Sequence, residues 1–174
     1  LEIDYQTRFW YLPSIFSGLV FNANYTVATS EVQYPRTTFD SYFDFETFTY
    51  VYVNNDSTYI DRLLDQPDEI VNISVGLDYK GFSGRLSMLY NDNVFVNTDF
   101  WPELRENTDA YQRFDLSMKQ ELPIKGLELF LNASNLTETS DISRFRGISS
   151  GGDNFKLKQF YGRTIDLGFR YSFW

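Results

Sequence analysis

The final stretch of the chain, residues 161–174, reads YGRTIDLGFRYSFW. From position 165 to position 173, every second residue is apolar or aromatic, and polar residues or glycine lie between them. A period of two predicts a β-strand with one apolar and one polar face. Strands of globular proteins are usually about five or six residues long, whereas a strand tilted across a bilayer needs roughly 9 to 11. The stretch therefore predicts a membrane-crossing strand whose apolar face meets lipid.

The same alternation recurs six more times toward the N-terminus. Short turns that contain proline or glycine join some of the predicted strands, at residues 12–18, 80–84 and 123–126. Longer polar segments join the others, at residues about 35–69, 97–108 and 136–158. The seven predicted strands cover residues 1–11, 19–34, 70–79, 85–96, 110–122, 127–134 and 161–174.

The connections thus alternate between short and long. This rhythm is typical of outer-membrane barrels, in which short turns face the periplasm and long loops face outside. The sequence predicts an all-β fold, a transmembrane antiparallel β-barrel in the bacterial outer membrane with its C-terminus in the periplasm. Seven crossings place residue 1 outside, single-chain bacterial barrels have an even strand number, and lipid does not tolerate open sheet edges. We therefore expect residues 1–174 to form the C-terminal part of a larger barrel.

Composition narrows the classes of function. The chain has 15 basic and 24 acidic residues, a net charge of -9, which argues against a nucleic-acid partner. It has no Cys and no His, which removes disulfide frameworks, thiolate metal sites and most catalytic dyads. Aromatic residues make up 19% of the chain, an excess that the aromatic girdles of a membrane barrel would absorb. We expect no enzymatic activity, no cofactor and no metal.

Several short motifs occur in order along the predicted strands. In this order and spacing they resemble the C-terminal barrel portion of TonB-dependent outer-membrane receptors, and the aromatic-rich acidic loops are most similar to receptors of the Bacteroidetes type. The motifs are GL at 18–19, NYT at 24–26, YKGFSGRLS at 79–87, FDLS at 114–117, LFLNASNLT at 129–137 and YGRT at 161–164.

The resemblance implies a roughly 22-stranded barrel closed around an N-terminal plug, with this chain as its last seven strands. It implies active import of a scarce nutrient such as a siderophore, cobalamin, an oligosaccharide or a peptide. The implied partners are outer-membrane lipid, the protein's own plug and remaining strands, TonB with its inner-membrane motor complex, and a surface-exposed lipoprotein.

The strand faces predict two sets of wall residues and an assembly signal. The aromatic residues Tyr171, Phe173 and Trp174 form the predicted signal, with Phe173 in phase with the lipid-facing side and Trp174 one position beyond it. The predicted lipid-facing residues are Phe21, Leu77, Leu116, Leu131, Leu167 and Phe169. The predicted lumen-lining residues are Arg85, Arg113, Asp115, Glu128, Asp166 and Arg170.

The outer loops carry the candidate ligand-binding residues. Aromatic rings offer flat apolar faces and carboxylates accept hydroxyl hydrogen bonds, so the 35–69 loop suits a sugar or a peptide. Arginines in the last loop suit an anionic group such as a ferric siderophore or a lipopolysaccharide phosphate. The candidates are Tyr42, Phe45, Tyr50, Tyr52, Phe100, Trp101, Arg144 and Arg146.

Other interpretations remain open at the level of sequence. The chain could be a small autonomous outer-membrane barrel that acts as an anchor or adhesin, or a soluble carbohydrate-binding β-sandwich with a dry core between two sheets. The carboxylates of the polar faces are expected to line a hydrated lumen rather than to act in catalysis. Five N-x-S/T triplets, including that at Asn135, are expected to be chance matches to the glycosylation pattern.

Overall fold

The computed structural model describes residues 1–147 and 155–173, and in this part of the chain it is all-β with antiparallel sheets. The predicted all-β, antiparallel class is confirmed, and none of the sheets is closed into a barrel. Thirteen strands are present in the described residues. They are β1 Glu2–Arg8, β2 Leu19–Val27, β3 Val32–Asp44, β4 Thr49–Asp61, β5 Glu69–Tyr79, β6 Phe82–Asn91, β7 Val94–Asn97, β8 Glu106–Thr108, β9 Tyr111–Glu121, β10 Leu127–Ser134, β11 Ser140–Phe145, β12 Phe155–Phe160 and β13 Thr164–Tyr171.

The largest sheet has seven strands in the order β1-β2-β5-β6-β9-β10-β13. Each strand lies antiparallel to its neighbours, and the seven follow one another in chain order. The connections β1–β2, β5–β6 and β9–β10 are short, and the three others carry the remaining strands. All long connections therefore leave the sheet at one end and all short ones at the other.

The strand register separates the two faces of this sheet. Residues paired across neighbouring strands lie on the same face, so one apolar row runs through six strands. The opposite face carries mostly charged, amide and hydroxyl side chains, with Val20, Ile70, Leu89 and Phe130 as exceptions. The apolar row consists of Leu19, Leu77, Gly84, Met118, Leu131 and Leu167.

The long segment 35–69, predicted to be mostly irregular, is instead largely a β-hairpin. β3 and β4 pair over their whole length, from Val32 opposite Asp61 to Asp44 opposite Thr49. β2 ends at Val27, so the predicted continuation of that strand to residue 34 is wrong. Sequence periodicity missed the hairpin because aromatic and polar residues occur on both of its faces, which removes the simple alternation.

The other two long segments build a second sheet, which we call the outer sheet. Its strand order is β12-β11-β8-β7. The predicted single strand over 85–96 is wrong, because it splits into β6 and β7 and β7 joins this outer sheet. The Asp92 carboxylate accepts hydrogen bonds from the Asn93 backbone N–H at 2.7 Å and from its side-chain amide at 3.0 Å. Such local side-chain bonds favour a turn over a continuing strand.

The terminal strand is also shorter than predicted. β13 covers eight residues, and Gly162 before it has a φ of 66°, in the left-handed region that ends the extended conformation. The predicted strand 161–174 therefore holds a turn at its start, and its last residue, Trp174, lies outside the described residues.

Side-chain burial in the described residues is concentrated in the outer sheet rather than in the seven-stranded one. Phe95 on β7 is 0% exposed, and Val94 beside it is also buried. On the apolar face of the large sheet, Leu86 and Leu167 remain 45% and 68% exposed. No second sheet packs against that face within residues 1–147 and 155–173. Among these residues, the large sheet therefore has no dry core of its own.

Candidate ligand-binding surface and polar face

A paired carboxylate and guanidinium lie on the polar face near the short β5–β6 turn. Arg85 donates from Nη1 to Asp78 Oδ1 at 2.9 Å and from Nη2 to Asp78 Oδ2 at 2.7 Å, and Ser83 Oγ donates to Oδ1 at 2.7 Å. Gly76 lies opposite Arg85, and a Cβ at that position would lie 2.3 Å from Arg85 Cδ. Glycine at 76 thus lets the arginine lie flat along the sheet to form its two bonds.

The remaining predicted lumen residues share this face. Arg113 Nε lies 3.3 Å from Asp115 Oδ2, and Arg170 Nη1 lies 3.9 Å from Glu128 Oε2 on the neighbouring strand. Asp166 is opposite Asn132 in the register. Three ion pairs of opposite charge thus lie on this face, Arg85 with Asp78, Arg113 with Asp115 and Arg170 with Glu128.

The predicted lipid-facing residues all lie on the opposite face. Phe21 pairs with Val75, Leu77 with Leu19, and Leu116 with Leu86. Leu131 pairs with Leu167, and Phe169 pairs with Leu129. At the end of β13, the rings of Tyr171 and Phe173 meet edge to face with centroids 4.7 Å apart.

The β3–β4 hairpin carries an exposed aromatic surface. The register puts Phe39, Phe43, Tyr50 and Tyr52 on one face of the hairpin, which we call the aromatic face. Phe43 contacts Tyr50 and, at the tip, Phe45, each with centroids 5.2 Å apart. The Tyr52 side chain is 73% exposed, so its ring is free to stack on a ligand.

Phe100 and Trp101 extend this surface from the β7–β8 connection. The Phe100 ring lies 4.9 Å from that of Phe39 and 5.0 Å from that of Trp101. Five of the predicted ligand residues, Phe45, Tyr50, Tyr52, Phe100 and Trp101, therefore lie on or beside one aromatic surface. Tyr42 does not join them, because it pairs with Val51 on the other face of the hairpin.

The two predicted arginines are held by other side chains. Arg144 Nε donates to both oxygens of Asp109, at 2.8 and 2.7 Å. Arg146 forms an ion pair with Asp61 of β4, donates to Asn107 Oδ1 at 2.6 Å, and lies over the Phe95 ring at 4.1 Å. Arg146 thus joins the outer sheet to the base of the hairpin.

Sequence reasoning missed the junction between the hairpin and the outer sheet. Tyr34 and Tyr59 stack with centroids 5.4 Å apart, and Phe95 meets the Tyr34 ring edge to face at 5.8 Å. The Arg105 guanidinium lies 3.4 Å from the centroid of the Tyr59 ring. Burial raises the pKa of the Tyr59 hydroxyl, against the opposing effect of the Arg105 charge, so Tyr59 remains a neutral hydrogen-bond donor at physiological pH.

The sequence also did not reveal the structural role of Asn135. It is buried in the turn after β10, with a φ of 54°. Its amide nitrogen donates to the carbonyl oxygens of Thr139 at 3.0 Å and Gly162 at 2.9 Å, and its Oδ1 accepts from the Thr139 N–H at 2.9 Å. Because the amide is used to join two segments, this N-x-T triplet is explained by structure.

A polar cleft of about 360 Å³ lies beside Asn135, lined in part by Tyr111, Arg113, Asp141 and Tyr161. No group of three or more acidic side chains placed to hold a metal ion is found in residues 1–147 and 155–173. No helix in that part of the chain is long and apolar enough to cross a membrane.

Comparisons with protein-family models, with curated proteins and with solved structures give no match to this chain.

Proposed function

We propose that this chain forms part of the barrel wall of a TonB-dependent active importer in the bacterial outer membrane. The observation that carries the proposal is the seven-stranded sheet with one apolar and one polar face, neither of them covered by a second sheet in the described residues. A soluble sandwich would bury the apolar face, whereas a barrel wall turns it toward lipid and turns the paired charges toward a hydrated lumen.

The connectivity supports the same proposal. Short turns lie at one end of the sheet and the strand-containing connections at the other, as in barrels with periplasmic turns and external loops. The outer edges of β1 and β13 have no partner strand among the described residues. A larger barrel, of about 22 strands by the resemblance, would pair both edges and enclose a plug.

The outer region supplies the surface on which a nutrient would first bind. The exposed rings of the aromatic face stand beyond the sheet, at the end opposite the short turns. Under this proposal, capture takes place there, and TonB and its motor complex act on the plug from the other side. A surface-exposed lipoprotein would cover the same outer region.

Growth on single nutrients tests the proposal. We expect a strain that lacks this protein to lose growth on one member of a panel of ferric siderophores, cobalamin, oligosaccharides and peptides. A strain that lacks TonB should lose growth on the same nutrient. Loss of surface attachment with every nutrient still used would favour an adhesin, and recovery of the protein in the soluble fraction without detergent would favour a soluble binding protein. Either result contradicts the proposal.

A further inference from the structure

Arg105 is a buried cation at the junction between the β3–β4 hairpin and the outer sheet. The residue is only 8% exposed, and its guanidinium stacks on the Tyr59 ring. Its Nε and Nη2 atoms are both buried, and neither has a hydrogen-bond partner among the described residues. Burying these two donors without acceptors costs free energy, because each loses its water without a replacement.

The two unpartnered nitrogens form one edge of the guanidinium. The Nε–H bond and one Nη2–H bond point in the same direction, at a spacing that matches the two oxygens of one carboxylate. Lysine lacks this planar two-donor edge. The geometry therefore selects for an oxyanion with two adjacent oxygens rather than for a single negative charge.

The nearby acidic side chains already have cationic partners. Asp61 pairs with Arg146, and Glu106, the residue after Arg105, accepts from Lys156 Nζ at 2.6 Å. Asp68 accepts from Arg62 Nη1 at 3.0 Å. A counter-ion for Arg105 does not come from these carboxylates.

Two further buried polar groups without partners lie on the same face of the hairpin. They are the Tyr59 hydroxyl and Arg36 Nε. Tyr59 pairs with Tyr34, and Arg36 is two residues beyond Tyr34 opposite Ser57, so both side chains leave the same face. Because the guanidinium stacks on its ring, the Tyr59 hydroxyl lies beside Arg105 as a second donor.

We propose that Arg105 and the Tyr59 hydroxyl form a binding site for the carboxylate group of a small diffusible ligand. Because Nε and Nη2 of Arg105 are buried, the ligand enters as the hairpin base separates from the outer sheet, and the bound carboxylate then joins the two. This inference names a ligand class for the proposed importer. It rests on the proposed function only for the transport of the ligand after binding, because binding itself is measured without transport.

Citrate binding to the purified full protein in detergent, at constant ionic strength, tests the site. We expect saturable binding by calorimetry, and slower hydrogen exchange around residues 59–61 and 105–108 when citrate is bound. Arg105→Lys keeps the charge but loses the two-donor edge, so its affinity should fall about tenfold or more. Arg62→Lys is the matched control, because Arg62 already pairs with Asp68, and its affinity should be unchanged.

Several results would overturn the site. They are absent or non-saturable citrate binding, equal affinity in Arg105→Lys, unchanged hydrogen exchange, or tighter binding of inorganic phosphate than of citrate. Should Arg105→Lys fail to fold, Tyr59→Phe keeps the ring and removes only the hydroxyl, and its affinity should fall about fivefold. Nutrient uptake without citrate binding would refute this site alone, whereas citrate binding without TonB-dependent growth would refute the importer alone.

Discussion

At the scale of single residues, a few polar side chains determine where strands end. Asn135 joins the end of β10 to Thr139 and to Gly162, and Asp92 separates β6 from β7. Each does so through hydrogen bonds to nearby backbone groups, which compete with strand pairing. None of these contacts has a periodic signature, and so the sequence predicted the strands better than their ends.

Replacing Asn135 tests this role. Asn135→Ala removes three side-chain hydrogen bonds and leaves buried backbone groups unpaired, so we expect a loss of about 2 to 3 kcal/mol of local stability. Hydrogen exchange at Thr139 should rise accordingly. The matched control is Thr137→Ala, whose exposed side chain has one hydrogen-bond partner among the described residues, the Thr139 hydroxyl. Equal exchange in both variants would contradict the role of Asn135.

The tip of the β3–β4 hairpin should depend on pH through Asp44. Its carboxylate accepts from the Glu46 N–H at 2.9 Å and from Thr47 Oγ1 at 2.8 Å, and these bonds lower the pKa of Asp44 below its usual value. Because the pKa of Asp44 is lower in the folded chain than in the unfolded chain, its stabilisation is fully present above the unfolded-chain pKa. That stabilisation is lost as the pH falls through the folded-chain pKa. Amide exchange at residues 46–49, corrected for intrinsic pH effects, should therefore rise in acid. Asp44→Asn should abolish most of that pH dependence, and an unchanged profile in the variant would refute the assignment.

At the scale of elements, the strands of the large sheet and the outer hairpin differ in how far sequence predicts them. Alternation predicts the seven sheet strands because each has one mainly apolar face. The hairpin has aromatic residues on both faces. One face carries the exposed rings, and the other carries the stacked Tyr34 and Tyr59 at the junction. The aromatic composition of the loops was enough to select Tyr50, Tyr52, Phe100 and Trp101 as candidate ligand-binding residues. It was not enough to exclude Tyr42, which lies on the other face of the hairpin.

The Arg105 junction was beyond sequence reasoning for a related reason. The contact joins Arg105, in the β7–β8 connection, to Tyr59 on β4, far away in the chain. A single arginine after a short polar segment has no distinguishing pattern in the sequence. Its position became apparent only from the ring stacking and from the partners of the surrounding carboxylates.

Tyr34 should attach the hairpin to the outer sheet. Its ring contacts Tyr59 and Phe95, and its hydroxyl donates to the Arg62 carbonyl and accepts from the Leu64 N–H, each at 3.1 Å. We expect Tyr34→Ala to weaken this attachment by about 2 to 4 kcal/mol and to speed proteolysis within residues 28–68. Tyr42→Ala, at an exposed position on the same hairpin, is the control and should leave the cleavage rate unchanged. Equal rates for the two variants would contradict the attachment.

At the scale of the whole molecule, the two faces of the large sheet require different environments. Within the described residues, the apolar face is uncovered and the polar face carries paired charges of both signs. In water, a face of this size with many exposed leucine and phenylalanine side chains would promote association. In a bilayer, the same face is buried in lipid without any second sheet.

A charge should therefore be tolerated on one face only. Leu131→Arg places a guanidinium on the proposed lipid face, where it costs about 2 to 4 kcal/mol near the bilayer midplane, so folding into membranes should be impaired. Asn132→Arg, one position along the same strand, places it on the polar face and should fold nearly as well as the unchanged protein. Folded yield is measured by the heat-dependent shift in electrophoretic mobility. A larger defect in Asn132→Arg would reverse the assignment of the faces.

The most direct measurement is the accessibility of spin labels in pairs of adjacent residues, and residues 1–174 contain no competing cysteine. The pairs are Leu116→Cys with Ser117→Cys, Leu131→Cys with Asn132→Cys, and Leu167→Cys with Asp166→Cys, each measured in the full protein in lipid bilayers. We expect labels at the three leucine positions to collide with oxygen dissolved in lipid, and labels at their neighbours to collide with a water-soluble nickel complex. Labels at the leucine positions that report water, or that are shielded from both reagents by protein, would contradict the barrel wall.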